Sequence, residues 1–454
     1  MTGIFGRGEF VQDYLALRES RHITGRTVVT YHDVMAGRAF PDAILWCKSN
    51  VDIKGMASSR AVLCGYVEAS YFRNFEMSIP YAALTPVGLT NLLVVGKAYA
   101  ITHDGLGLAR MQPDMIQLGT VAGVALAQAC GRVSADSTRV PATEPGDFPV
   151  NLHDLDVGCL QERLMAMGLL LPGDFPTGPE DERVPPETDE ALIDLVDRIV
   201  ECPPEPNEWA RLFMIPDRAA ARLRAVAGAV ELMRPATAQL LCALGDRAGA
   251  DVLLRELDAL IANGLPGMAG RQRHDMPDHG WAPRAVHLLN ALAECGERRL
   301  IARLDIVLAH LELDRSVSDY RFCYVHAFTY AGERLAAVEL IPLLQRLAGD
   351  PAICGASIAR GQDPRLTQDH IAERYAYLEL CLARALARCG SPGGYETLIA
   401  YTGDMRLYLA RSARAELCEL SGIDAGYDRA EWGAWLAAAT ATGLVPIPYT
   451  GRLA

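Results

Sequence analysis

The sequence predicts an α/β portion followed by an all-α portion built of stacked helix pairs. Three observations predict it. Up to about Leu171, short β-branched or alternating runs mix with helical pieces and frequent glycine. Next comes Leu171-Pro-Gly-Asp-Phe-Pro-Thr-Gly-Pro-Glu-Asp-Glu-Arg-Val-Pro-Pro-Glu-Thr, too rich in proline, glycine and acid for a core element. From about 207 onward the apolar spacing is helical almost throughout, and it repeats. The expected organisation is therefore 1–170, a linker at 171–188, and a helical domain at 189–454.

In chain order, Thr27-Val-Val-Thr-Tyr and Glu76-Met-Ser-Ile-Pro-Tyr read as half-buried strands. The continuous apolar run Asn91-Leu-Leu-Val-Val predicts a strand covered on both faces and ending at Gly96. A polar loop follows, then a helix opening at Pro113, where the missing N–H costs nothing. Gly119, Gly123 and Ala127 recur every fourth residue along it. They leave one face nearly free of side chains, so a sheet or another helix can approach closely. A strand, loop and helix of this kind offers backbone donors and a helix N-terminus to a nucleotide cofactor. Beyond the linker, Asp189 is placed to cap a helix starting at Glu190.

The helical part repeats a motif in which a glycine ends one helix and an Asp, Glu or Ser opens the next. Gly245-Asp, Gly296-Glu, Gly332-Glu and Gly390-Ser mark these turns. The pattern resembles HEAT-like α-solenoid repeats, whose stacked helix pairs bury a continuous core. Tyr320, Phe322, Tyr324, Phe328 and Tyr330 then read as core of that stack rather than as an aromatic recognition surface.

Composition excludes several classes. A net charge of -13 with no lysine/arginine run argues against general nucleic-acid binding and against docking on anionic lipid. No apolar run approaches the roughly 20 residues needed to cross a membrane, and the opening residues are no signal peptide. The twelve cysteines are scattered without a C-x-x-C pair, so buried free thiols in a reducing, cytoplasmic setting are expected, with no zinc site and no disulfide framework. His274-Asp-Met-Pro-Asp-His279 gathers potential metal ligands, but its Pro/Gly-rich surroundings read as a solvated loop, and no metal is expected.

Several pieces, in order, resemble the FAD-dependent oxidoreductases often labelled xanthan-lyase-like. Arg18-Glu-Ser-Arg-His-Ile-Thr-Gly looks like the family's Arg-Glu-x-Arg element, with His32-Asp33 opening the strand and loop after it. Ile79-Pro-Tyr-x-x-Leu, Pro86 and Asn91-Leu-Leu-Val-x-Gly follow in the family's order. Ala109-Arg-Met-Gln-Pro, Leu118-Gly-x-x-Ala-Gly and the helix from Asp156-Val-Gly-Cys-Leu complete a resemblance that covers roughly 1–170. It implies FAD as cofactor and a carbohydrate or hydroxy-acid substrate that gives up a hydride.

The resemblance puts Gly96, Lys97, the Met111-Gln112-Pro113 backbone and Gly119 beside the cofactor. The positive end of the helix near Pro113 suits the pyrimidine side of an isoalloxazine, where negative charge gathers on reduction. Arg110 and His103 lie on the intervening loop, and either could stabilise reduced flavin or touch substrate. Arg18, Arg21 and Tyr81 are the expected substrate contacts. Plainer readings stand beside these: a structural ion pair for Arg110, a loop turn for His103-Asp104, a cross-strand charge cluster for Arg18 to Arg21.

Two departures qualify the implication. The family generally has Arg at the position of Lys97 and a small hydroxyl residue near Ala100. It also begins with a strand–GxGxxG–helix unit that holds the ADP part of FAD, and nothing comparable occurs in this sequence. The chain is thus expected to be the late part of such an enzyme joined to helical repeats, whether fragment, mis-called start or split protein. Its expected partner is the flavin-domain half or another protein on the solenoid. The alternative is a non-catalytic interaction scaffold carrying a relic α/β segment.

Overall fold

The computed structural model describes residues 21–51, 53, 59–66, 74–131, 151–178, 180–202, 204–228, 233–265, 282–313, 321–351, 353–355, 357 and 370–451. The chain divides into two compact units: residues 1–53 with 70–184, and residues 54–69 with 185–454. The second unit therefore takes a short excursion from within the first stretch of sequence, which the pattern of residues does not announce.

The first unit opens with helix α1 (Tyr31–Ala36), where the Thr30 hydroxyl and the Asp33 carboxylate form a capping box and Gly37 closes in the left-handed region. Asp33 also holds Arg38 at 2.7 Å. The strand expected over Thr27 to Tyr31 is reduced to one bridge, Val29 to Ile101, and the strand expected from His32 is this helix instead. The local capping box outcompetes the β-branched run.

Strand β1 (Ala43–Ser49) pairs antiparallel with β2 (Phe75–Pro80), with Trp46 opposite Ser78 and Lys48 opposite Glu76. Between them in sequence lies α2 (Arg60–Leu63), which belongs to the second unit. After β2 come α3 (His103–Leu106), α4 (Gln112–Ala129) and α5 (Val157–Ala166). Helix α4 packs on β1 and α5, burying Leu118, Val121, Ala122 and Ala125.

The second unit adds α6 (Asp189–Glu201), α7 (Pro206–Met214), α8 (Pro216–Ala227), α9 (Pro235–Ala243), α10 (Ala250–Ala262), α11 (Arg284–Glu294), α12 (Ile301–Leu313), α13 (Arg321–Leu335), α14 (Ile341–Ala348), α15 (His370–Arg388), α16 (Pro392–Tyr401), α17 (Leu407–Ser421) and α18 (Arg429–Thr442). Helices α9, α11, α13, α15 and α17 form one row in which each touches the next of the row. Helices α10, α14 and α16 pack against the members of that row that flank them in sequence. Tyr324, Phe328 and Tyr330 are buried in this stack.

Turn chemistry explains the repeats and corrects two of them. Gly245, Gly296 and Gly390 have positive φ, and Asp246 and Glu297 accept from the backbone N–H two residues on. Ser391 makes no such side-chain cap. Gly332 is not a helix end; it lies inside α13, where a Cβ would come 2.8 Å from the Cβ of Ala385 on α15. It permits close helix packing, and Ala336 takes the positive φ instead. At α6 the cap is Thr188, whose hydroxyl accepts from Ala191 N–H, and Asp189 is the first helical residue.

Residues 54–69 complete the second unit. The carbonyl of Leu63, at the end of α2, accepts from Asn290 Nδ2 at 2.8 Å, and that of Cys64 accepts from the Gln239 amide. These side chains of α11 and α9 satisfy the orphan C-terminal carbonyls of a very short helix. Tyr66 packs its ring against Trp209 and Phe213.

Candidate functional site

The segment expected as a buried strand, Asn91 to Val95, is not one. It forms no regular strand, Leu92 is 42 % exposed, and Leu93, Val94 and Val95 are half-buried. Backbone bonds run from Val94 N–H to Leu84 O, Ala100 N–H to Ala83 O and Val29 N–H to Ala100 O. The partners are irregular segments, and Gly96, at φ +73, bends the chain out of extended geometry. An apolar run alone therefore overstated the burial.

Gly96 opens a single tight turn, Gly96–Ala98, which packs against α4. A Cβ on Gly96 would meet nothing within 4 Å. Lys97 is half-buried in the same turn. Opposite it, Met111 is the N-cap of α4, with Gln112 and Pro113 as its exposed first residues. Met111, Gln112 and Pro113 thus open α4, and the turn carrying Gly96 and Lys97 packs against the same helix. Gly119 lies farther along, on the exposed face, again with open space around a would-be Cβ.

That exposed face has no charge. Ile116 at 71 % exposure, Gly119, Thr120, Gly123 and Leu126 follow one another at helical spacing, and the only charged residue of α4 is Asp114, which is buried. Asp114 sits in the first turn, where its carboxylate takes a hydrogen bond from the Met111 backbone and from the Cys47 thiol of β1. Burial nevertheless raises its pKa, and its Oδ2 has no hydrogen-bond partner. An acidic residue just after a helix-opening proline was the signal in the sequence for this first-turn carboxylate, and the pattern reading passed over it.

Of the other two candidates, His103 opens α3 and Arg110 immediately precedes the N-cap Met111. Thr102 caps α3, whose first residue is His103, and α3 packs on α1. His103 Nε2 lies 3.8 Å from the fully buried Asp104 carboxylate, an ion-pair distance rather than a hydrogen bond. Arg110 is only 7 % exposed. The Tyr81 hydroxyl is buried and donates to Leu152 O, and burial pushes its pKa up to about 12. Arg21 is exposed, and Arg18 lies outside the described residues.

Among the described residues no group of His, Cys, Asp and Glu is placed to hold a metal ion; His274 to His279 lies outside them. All twelve cysteines are free. No helix among the described residues is long and apolar enough to cross a membrane.

The chemistry at the start of α4 fits the ring end of a flavin. It offers main chain at an open glycine turn, a helix N-terminus and an uncharged flank. No Gly-x-Gly-x-x-Gly follows β1 or β2. Residues 9–140 match the FAD dependent oxidoreductase family, and that span contains every residue weighed above for catalysis, cofactor or substrate. No curated protein and no solved structure matches the chain. The chain thus carries an FAD-dependent oxidoreductase family domain, which supports a general oxidoreductase role with FAD as the cofactor.

Proposed function

We propose, from the premise of that domain, that this chain supplies the isoalloxazine end of an FAD site in an oxidoreductase acting on a carbohydrate or hydroxy acid. The observation that carries the reading is the open Gly96 turn packed against α4. FAD, when bound, would accept a hydride from the substrate C–H bond. The main chain at Gly96 and at Met111 to Pro113 would hold the ring, and the positive end of α4 would favour charge at its pyrimidine side. Asp114 lies buried in that first turn. Arg110 and His103 are the loop groups offered for substrate orientation and proton transfer, with Arg21 at the surface and Arg18 beside it in sequence.

The ADP part requires a strand–glycine loop–helix unit, which we assign to a separate or preceding flavin-domain half. The uncharged face of α4 supports this, since a helix apolar on its outer side is ordinarily covered. The helical unit is read as a HEAT-like stack, supported by the row of α9, α11, α13 and α15.

The test is an FAD titration followed by absorbance and fluorescence. The chain alone should bind FAD weakly, and Gly96→Val should abolish what binding there is. Tight stoichiometric flavin on the chain alone would overturn the need for a second half. Flavin binding unmoved by Gly96→Val would overturn the site.

A further inference from the structure

The segment after α18 lies in an extended path across the ends of α13 and α15. Ile447 N–H donates to Arg388 O at 2.8 Å and Tyr449 N–H donates to Glu333 O at 2.8 Å. These acceptors lie at the last residue of α15 and in the last turn of α13, where helix carbonyls lack intrahelical partners. Arg334 Nη1 returns bonds to Tyr449 O at 3.0 Å and Gly451 O at 2.8 Å. The Tyr449 ring lies between two guanidinium groups, 5.1 Å from that of Arg334 and 4.7 Å from that of Arg388.

The residues of the segment suit this path. Pro446 and Pro448 have no N–H, so between 446 and 449 donors remain only at Ile447 and Tyr449, the two that bond the helix ends, and the ring-fixed φ keeps the chain extended. Leu444 and Ile447 pack on the core of α15 to α18. From Leu444 to Gly451 there is no charge. The groove needs none, because Arg388 is paired with Glu416 and Glu419, and Arg384 with Glu333 and Glu416.

We infer that the ends of α13 and α15 form a peptide-recognition groove, and that residues 444–451 are its built-in ligand. The partner it fits is an uncharged, extended protein segment with alternating prolines that inserts a tyrosine between Arg334 and Arg388. Such a partner must displace the strap. A tethered ligand acts at an effective concentration on the millimolar scale, so the strap sets the threshold that a partner has to exceed. This inference does not depend on the flavin reading.

The experiment uses a fluorescently labelled synthetic peptide with the sequence of residues 444–451, followed by anisotropy. It is titrated against the full chain, the chain ended at Gly443, and the full chain carrying Tyr449→Ala. Saturable binding is expected to the shortened chain and to the Tyr449→Ala chain, and at least about tenfold weaker binding to the unaltered chain. A peptide with alanine in place of its tyrosine should lose about tenfold or more on both receptive chains. If the shortened chain does not fold, judged by circular dichroism, the Tyr449→Ala chain decides. The inference fails if neither chain takes up the peptide, or if the tyrosine-less peptide binds equally well. Equal binding to all three chains also overturns it, because the strap would then not occupy the same groove.

Discussion

The Tyr81 hydroxyl and the Leu152 carbonyl meet in a buried hydrogen bond of 2.9 Å, tying the turn after β2 to the segment before α5. The hydroxyl that family resemblance offers to substrate is thus already engaged by the main chain.

Tyr81→Phe should therefore cost stability rather than catalysis. Removing the donor leaves a buried carbonyl unpaired, a loss of about 1–3 kcal/mol. Chemical denaturation would measure it, with FAD affinity unchanged. A lowered substrate affinity at unchanged stability would return Tyr81 to the site.

Glycines on different helices should respond with opposite signs. On α4, Gly119→Ala and Gly123→Ala meet open space, so each should stabilise the isolated chain by about 0.5–1 kcal/mol through helix propensity. If the flavin half covers this face, the same changes should weaken association with it. On α16, a Cβ at Gly394 would lie 2.6 Å from Ala383 O, so Gly394→Ala should destabilise by about 1–3 kcal/mol. Thermal melts of the three variants give the comparison directly.

His326 should make the helical unit sensitive to mild acid. Burial, aided by the charge of Arg384, depresses its pKa from 6.5 to about 4. The unfolded chain then binds a proton that the folded chain refuses, so this contribution is complete above 6.5 and declines as pH falls toward about 4. The midpoint of urea unfolding should drop across that window, and His326→Gln should flatten the drop. An unchanged slope in the variant would assign the effect to other groups.

Glu294 holds together two parts of the second unit that are distant in sequence. Its carboxylate pairs with Arg60 of α2 at 3.4 Å and with Arg334 of α13 at 2.9 Å, all three side chains nearly buried, and it accepts from the Tyr330 hydroxyl. Glu294→Gln removes the compensating charge from both arginines and should cost about 3–5 kcal/mol. Hydrogen exchange should report the loss first at residues 60–66. A variant as stable as the parent chain would show that the pair is not worth its desolvation.

Much of the helical unit was legible because its signals are local. Gly245-Asp and Gly296-Glu close and open helices using atoms within a few residues of each other, and Pro113 and Asp156 mark real helix starts. Gly332 misled because its reason is tertiary: it makes room for Ala385 on another helix. The candidate site was legible in its backbone positions and less so in its side chains. Met111 to Pro113 open a helix as the pattern implied and the Gly96 turn packs on that helix, whereas the Tyr81 hydroxyl is engaged by Leu152 and Asp114 was passed over.

What the sequence determined alone is the order of textures, the capped helix starts and the helix at Pro113, since neighbouring residues along the chain settle those choices. Tertiary structure alone decided that Asn91 to Val95 stays half open and that residues 54–69 join the helical unit. It also decided that Tyr449 settles between Arg334 and Arg388. Each of these depends on which surfaces distant segments leave available for burial, and no local window of residues contains that information.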